Sequence, residues 1–430
     1  MTVFFAALLL AVFVHTLATR RDLLSPGRVY LFVYCLLLAV YFLKLSRYQI
    51  PWSSTTHMVF WGGSALFLCG CLLMTLLARI TNPQQAVSFE MVKSAVREDA
   101  ARIDWPWFLW VWLFCALFFL AVYCSAALKT GMVPALAVDP SRARMAFIGA
   151  NRVIAFTWFF GPISLMLAVE LLLFSNFSTP AKAAIALASL FVLGVYLTLL
   201  MRMDLYRLII LAAVLIHYGK RRLSVRMLAA MCLVAVVVFM GAMFVRMDYQ
   251  GFQLLTDYIQ VKMPRKYLWA SSIYAYMVNN FWNLDYALRR YVDGQQHYPM
   301  SFGFELFRVV MFAFRMIRPL EDAYGFDSPF NESVAMIAGL NTVVYMWHFY
   351  KDFGPAGAYL LALLFGMGAS LYYQNCMVRA TLLRLTILSL VIGCIAMSFM
   401  IPLWSFWTVY LNAFVLFVAH RHGAQGAAAP

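Results

Sequence analysis

Apolar residues in this chain come in long unbroken runs, and polar residues gather in the stretches between them. A helix needs about 20 apolar residues to cross a hydrocarbon layer of roughly 30 Å. Runs of that kind predict eleven spans, at 2–19, 29–45, 58–78, 106–128, 153–174, 183–201, 205–218, 227–245, 355–373, 385–400 and 404–420. The pattern is that of an all-α, polytopic membrane helical bundle. It divides the chain into an N-terminal bundle of eight spans (1–245), a large mixed segment (246–354), C-terminal spans (355–420) and a disordered tail (421–430).

The mixed segment departs from a plain bundle because it is rich in Tyr, Trp and Phe. Its stretch YLWASSIYAYMVNNFWNLDYALRRYV (267–292) predicts a helix lying at the membrane interface, where amphipathic rings are favoured. A second stretch, FGFELFRVVMFAFRMIRP (302–319), is apolar yet carries Glu305, Arg308 and Arg315. On a helix these three fall within about 80° of one another. They either snorkel to lipid phosphates or present a cationic face to an anionic, lipid-linked substrate.

The segment ends in NTVVYMWHFYKDFGPAG (341–357). At helical spacing, Asn341, Tyr345, His348 and Asp352 form one polar stripe about 60° wide. The stripe either caps a membrane helix at the water boundary or handles a polar substrate there. Asp352, just before Gly354-Pro355, also suits the start of the next helix, where a carboxylate meets the positive end of the dipole.

Composition changes the picture only by hardening it. The chain is 64% hydrophobic and 12% charged, more apolar surface than a soluble domain can hide. Its net charge of +15 does not point to nucleic acid, because no basic run is longer than KRR at 220–222. The first apolar run lacks a basic leader and is followed by Arg20 and Arg21, so it reads as a retained span with its N-terminus outside. Counting from there, the inside segments hold 15 Lys and Arg and the short outside loops hold 8, which is the expected bias and leaves the C-terminus inside.

Three arginine sets sit at predicted outside ends of spans: Arg142 with Arg144, Arg202 with Arg207, and Arg246. Each runs against the positive-inside bias. They either bind headgroups or pair with Asp139, Asp204 and Asp248, or they gather to hold a phosphate or pyrophosphate, for which the planar guanidinium fork is suited. Glu170 is the only acid deep in a predicted span, which favours a structural pairing over an ion-coupled pathway. Cys69-Gly70-Cys71 reads as buried small hydrophobes, and His420-Arg421-His422 as a solvated tail. No Walker loop, Gly-rich dinucleotide fingerprint or Asp-x-Asp is present.

Several short stretches are similar to the Wzy-like O-antigen polymerases, the oligosaccharide repeat-unit polymerases. DLLSPGRVYLFVY (22–34) resembles the family's loop into its second span. LLMRMDLYRLIILAAVLIHYGKRR (199–222) resembles its arginine, apolar span and basic turn, with Met-Arg-Met in place of a Ser-Arg-Gly-like core. MFVRMDY (243–249), SIYAYMVNNFWNLD (272–285) and the Asn-aromatic run ending in Asp352-Phe353-Gly354 resemble parts of its long loop.

The resemblance implies a GT-C-like bundle in a bacterial inner membrane, with 246–354 periplasmic. It implies donor and acceptor oligosaccharides linked to undecaprenyl pyrophosphate, contact with membrane lipids, a chain-length regulator as partner, and no metal or cofactor. A sugar hydroxyl would attack an anomeric carbon while undecaprenyl pyrophosphate leaves. Asp352 or His348 would then be the base, with Glu305 and Glu332 in reserve. Arg202 and Arg246 would grip the pyrophosphate, followed by Arg142, Arg144, Arg207, Arg308 and Arg315, and Asn341 and Tyr345 would hold sugar hydroxyls. A flippase or an O-antigen ligase remains the alternative.

Overall fold

The computed structural model describes residues 22–81, 88–137, 140–149, 159–199, 203–246, 257, 260–262, 267–294, 300–301, 303–304, 306–313, 336, 342–400 and 407–421. These residues are all-helical and contain no strand, only an isolated bridge between Ser46 and Val261. In chain order the helices are α1 (Pro26–Tyr41), α2 (Ser54–Thr81), α3 (Phe89–Arg102), α4 (Trp105–Thr130), α5 (Pro140–Gly149), α6 (Phe160–Phe174) and α7 (Thr179–Leu197). They continue as α8 (Met203–Leu215), α9 (Val225–Arg246), α10 (Leu268–Leu288), α11 (Arg308–Ala313), α12 (Tyr345–Val378), α13 (Leu382–Met397) and α14 (Trp407–Ala419). A π-helical turn extends α8 over Ile216–Lys220 and another extends α10 over Arg289–Asp293.

Helix boundaries follow local chemistry. Asp104 accepts the Trp107 amide at the start of α4, with Pro106 just inside, and Gly131 closes the helix in the left-handed region at φ 64°. Ser88 caps α3 in the same way through the Met91 amide. Among the described residues four helices, α2, α4, α7 and α12, are long and apolar enough to cross a membrane, and α1, α6, the Val225–Val234 part of α9, α13 and α14 are shorter apolar helices. The run predicted at 2–19 lies outside the described residues.

The chain forms two compact units that cut across the linear division read from hydropathy. Unit 1 collects Met1–Gln85, Tyr249–Gln374 and Val391–Trp407, and unit 2 collects Ala86–Asp248, Asn375–Leu390 and Thr408–Pro430.

Unit 1 is built on aromatic rings and a close backbone seam. Tyr30 stacks on Tyr34 and Phe67 with centroids 4.2 and 4.3 Å away, and its hydroxyl meets Ser64 at 2.9 Å. A Cβ added at Gly70 would lie 2.3 Å from the Leu363 carbonyl, and one at Gly366 would lie 2.1 Å from that of Phe67. The two glycines thus let α2 and α12 touch backbone to backbone, the small-residue packing favoured where lipid offers no hydrophobic drive. Ser370 and Cys71 add hydrogen bonds across this seam, to the carbonyls of Cys71 and Gly366. Cys71 is therefore a buried contact as expected, but Cys69 faces outward and is exposed.

The aromatic stretch at 267–292 forms a helix, α10, with a π-helical turn at its end. Every residue from Val278 to Asp285 is buried. The three asparagines and the aspartate of this stretch have hydrogen-bond partners inside the unit, which offsets the cost of burying them.

Unit 2 packs α4, α5, α6, α7 and α8 around Phe119, Tyr123, Phe147, Leu165, Val192, Tyr196 and Leu205. Gly161 of α6 lets Phe119 and Tyr196 approach to 3.0 Å of its would-be Cβ. The region 79–105, expected as a loop, contains α3, which buries Val92, Val96 and Ala100 at a spacing of four.

Candidate functional site

The candidate site of unit 1 lies where α12 breaks. Pro355 has no amide hydrogen, so the Lys351 carbonyl loses the partner that a continuous helix would supply four residues on. Phe353 and Gly354 leave helical geometry, and Gly354 adopts φ 65° and ψ −157°, a region open essentially only to glycine. The amide of Ser301 takes the vacated role and donates to the Lys351 carbonyl at 3.0 Å.

Asp352 completes this clasp. One of its oxygens accepts the Ser301 hydroxyl at 2.5 Å and the other accepts the Leu306 amide at 2.9 Å. The carboxylate is fully buried and faces Ser301 and Leu306. Two residues beyond Leu306, Arg308 opens α11 with its guanidinium 5.0 Å above the Phe304 ring. Arg308 is 7% exposed and Lys351 is 2% exposed. Charged side chains are buried this deeply almost only when paired or put to use.

The fold therefore brings Asp352 and Arg308 to one turn, across 44 positions of sequence. His348 is on the same half of α12, one turn before Asp352, and is buried. Tyr345 is buried at the start of α12. It is sealed in the aromatic core with Phe349 at 5.4 Å, Phe365 at 5.9 Å and Tyr30 at 6.4 Å, which gives it a packing role. Asn341, Glu305, Arg315 and Glu332 lie outside the described residues.

The chain leading into α12 is held by α10. Asn279 donates to the Thr342 hydroxyl at 3.2 Å, and Asn283 donates to the Thr342 carbonyl at 2.7 Å while accepting the Met336 amide at 2.9 Å. Asp285 accepts the Ser53 amide and the Thr56 hydroxyl at the start of α2, and pairs with Arg289 at 2.7 Å. None of these, nor Lys351, was among the expected site residues. Their signal was four polar side chains inside an apolar, aromatic run.

In unit 2, Arg207 is committed to a partner. It donates to Asp204 at 2.9 Å and to Thr408 at 3.4 Å, and Tyr196 donates to the other Asp204 oxygen at 2.6 Å. This is the aspartate pairing weighed above as the alternative to phosphate. Arg144 on α5 lies within electrostatic reach of the same Tyr196. Arg142 and Arg246 are placed on α5 and at the end of α9, and Arg202 lies outside the described residues.

Glu170 is paired as expected, but with a residue assigned to a solvated tail. His420 is 8% exposed and its Nε2 lies 2.8 Å from Glu170, whose other oxygen accepts the Thr386 hydroxyl. Nδ1 of His420 is 2.7 Å from the Leu416 carbonyl, an acceptor only, so that nitrogen carries hydrogen.

Among the described residues, no three His, Cys, Asp or Glu side chains gather at metal-binding distance. Comparison with protein-family models, curated proteins and solved structures finds no match to the chain.

Proposed function

We propose that this chain is a glycosyltransferase that joins oligosaccharide units linked to undecaprenyl pyrophosphate, working on the periplasmic side of a bacterial inner membrane. The eleven-span topology, with its N-terminus outside, belongs to the same proposal. One observation carries it: an apolar helix is broken at Phe353 and Gly354, with Asp352, Lys351 and Arg308 buried around the break. Irregular backbone and charge at membrane depth persist where they are enclosed by protein or serve a polar substrate.

The chemistry suits that environment. The acceptor hydroxyl oxygen bonds to the anomeric carbon of the donor, and the carbon–oxygen bond to the pyrophosphate breaks with its electron pair. The hydroxyl proton passes to His348 in this reading. Arg308 stabilises the anion that leaves, an interaction strengthened by a water-poor setting. Asp352 is a positioning residue: it fixes the 301–306 turn and, through it, the start of α11.

Purified protein incubated with a lipid-linked repeat unit tests the proposal. The wild type should give a ladder of glycans. Asp352→Asn should lower the polymerisation rate at least about a hundredfold while the protein remains folded. A normal ladder from that variant removes Asp352 from the mechanism. Transfer solely to a lipid A–core acceptor would make the chain a ligase, and movement of the substrate without bond formation would make it a flippase.

A further inference from the structure

A second constellation lies in unit 2, on a different set of helices. The π-helical turn Ile216–Lys220 packs on α3, with Phe89 against His217 at 5.4 Å and Val96 beside Gly219. A Cβ at Gly219 would lie 2.4 Å from the Phe174 ring, so glycine there lets the turn sit close on the end of α6. This seating lays the Lys220 ammonium 4.8 Å above the Phe174 ring. Arg97 follows Val96, whose side chain lies 3.6 Å from the would-be Cβ of Gly219, and Lys182 stands in the first turn of α7, shortly after Phe174, so both bring positive charge to the corner of Lys220. Burial first, and then these two cations, hold the Lys220 pKa below the usual lysine range.

Three like charges at one corner call for a counter-charge, and unit 2 does not spend its nearby carboxylates on them. On α3, Glu90 pairs with Lys93 at 3.2 Å, Glu98 pairs with Arg102 at 2.5 Å, and Asp99 accepts the Leu382 amide at 2.8 Å. Among the described residues neither Arg97, Lys182 nor Lys220 forms an ion pair. Beyond Lys182, α7 carries an outward apolar face, with Leu187 71%, Leu190 62% and Phe191 63% exposed. Cations at the end of a helix that is apolar on its outer side match an amphiphile whose head is anionic and whose tail is hydrocarbon.

We propose that Arg97, Lys182 and Lys220 bind the phosphate of an anionic phospholipid whose acyl chains lie along the outer face of α7. The site is independent of glycosyl transfer and rests on the membrane character of the helices alone. Lys220 and Lys182 clamp the phosphate at the rim of the bundle, and Arg97 supplies a two-pronged contact from α3. The lipid thereby ties α3 to α7 and relieves the repulsion among the cations.

Native mass spectrometry of the full chain in neutral detergent, titrated with phosphatidylglycerol, tests this. The wild type should retain the lipid in preference to phosphatidylcholine, and each of Arg97→Gln, Lys182→Gln and Lys220→Gln should weaken binding about fivefold. Lys93→Gln, whose lysine already has Glu90, should leave binding unchanged. Equal retention by the three single variants and the wild type overturns the proposal. So does displacement of the lipid-induced rise in unfolding temperature by inorganic phosphate at equal concentration, which would identify a site for free anions. Arg97 is exposed, so its variant will fold even where the lysine variants do not.

Discussion

Units 1 and 2 both bury charge, and the break in α12 does so in a way that the described residues of unit 2 do not. In unit 2 Arg207 pairs with Asp204 one turn away on α8, and Glu170 of α6 faces His420 just past the end of α14. Unit 1 has one such pair, Asp285 with Arg289, but at the break in α12 its buried charges meet irregular backbone, where Asp352 accepts from the Ser301 hydroxyl and the Leu306 amide and the Lys351 carbonyl is satisfied from outside its own helix. A closed pair has its electrostatics settled within the fold and mainly fixes helix positions. A carboxylate that holds a turn beside a buried arginine keeps local structure in an arrangement a regular helix would not adopt. That contrast is why the functional proposal rests on unit 1.

The largest effect that would test the contrast lies in unit 2. Glu170→Gln should cost about 3–5 kcal/mol in thermal unfolding, because it breaks a buried pair and leaves His420 without its carboxylate. Replacing both residues with leucine should recover most of that loss. If the single variant unfolds like the wild type, the pair is not holding α6 to the end of α14, and the contrast between the two units narrows.

A smaller stability effect with a larger functional one is expected in unit 1. Ser301→Ala removes one hydrogen bond to a buried carboxylate, worth about 1.5–3 kcal/mol. Its polymerisation rate should fall by more than that loss of stability alone explains, as read by activity at a temperature where the variant is fully folded. A proportionate loss would return Asp352 to a purely structural role. The smallest effect is the control: Glu98→Gln opens an exposed pair on α3, with side chains 57% and 68% exposed, and should change stability by less than about 0.5 kcal/mol. A larger change would mean that even surface pairs in unit 2 carry its architecture.

Much of the helical framework was legible because apolar runs report burial or lipid contact directly. The run at 106–128 became Trp105–Thr130, and that at 58–78 became Ser54–Thr81. What hydropathy hid were helices whose polar residues face inward. Helix α12 begins at Tyr345, ten positions before the expected span, because His348, Lys351 and Asp352 lower the hydropathy of its first turns and Gly354-Pro355 looks like a beginning. The break inside the helix was therefore read as its edge. Helix α3 was readable from Ser88 and the spacing of Val92, Val96 and Ala100, but its charged face masked that signal.

The candidate site was legible residue by residue and not as a set. Asp352, His348 and Arg308 stood out as polar groups in apolar surroundings, but their neighbours come from the 301–306 turn, which periodicity cannot attach to α12. His420 failed for a related reason: a histidine beside an arginine at the end of a chain looks hydrated until Glu170, 250 positions earlier, is placed against it.

The seam made by Gly70 and Gly366 has a mechanical consequence. Backbone in contact with backbone leaves no side-chain cushion to slide on, so the portion of α12 beyond Pro355 behaves as a post fixed to α2. Any swing of the Tyr345–Asp352 half must then be taken up at Phe353 and Gly354, a pivot of two residues with Asp352 riding next to its axis.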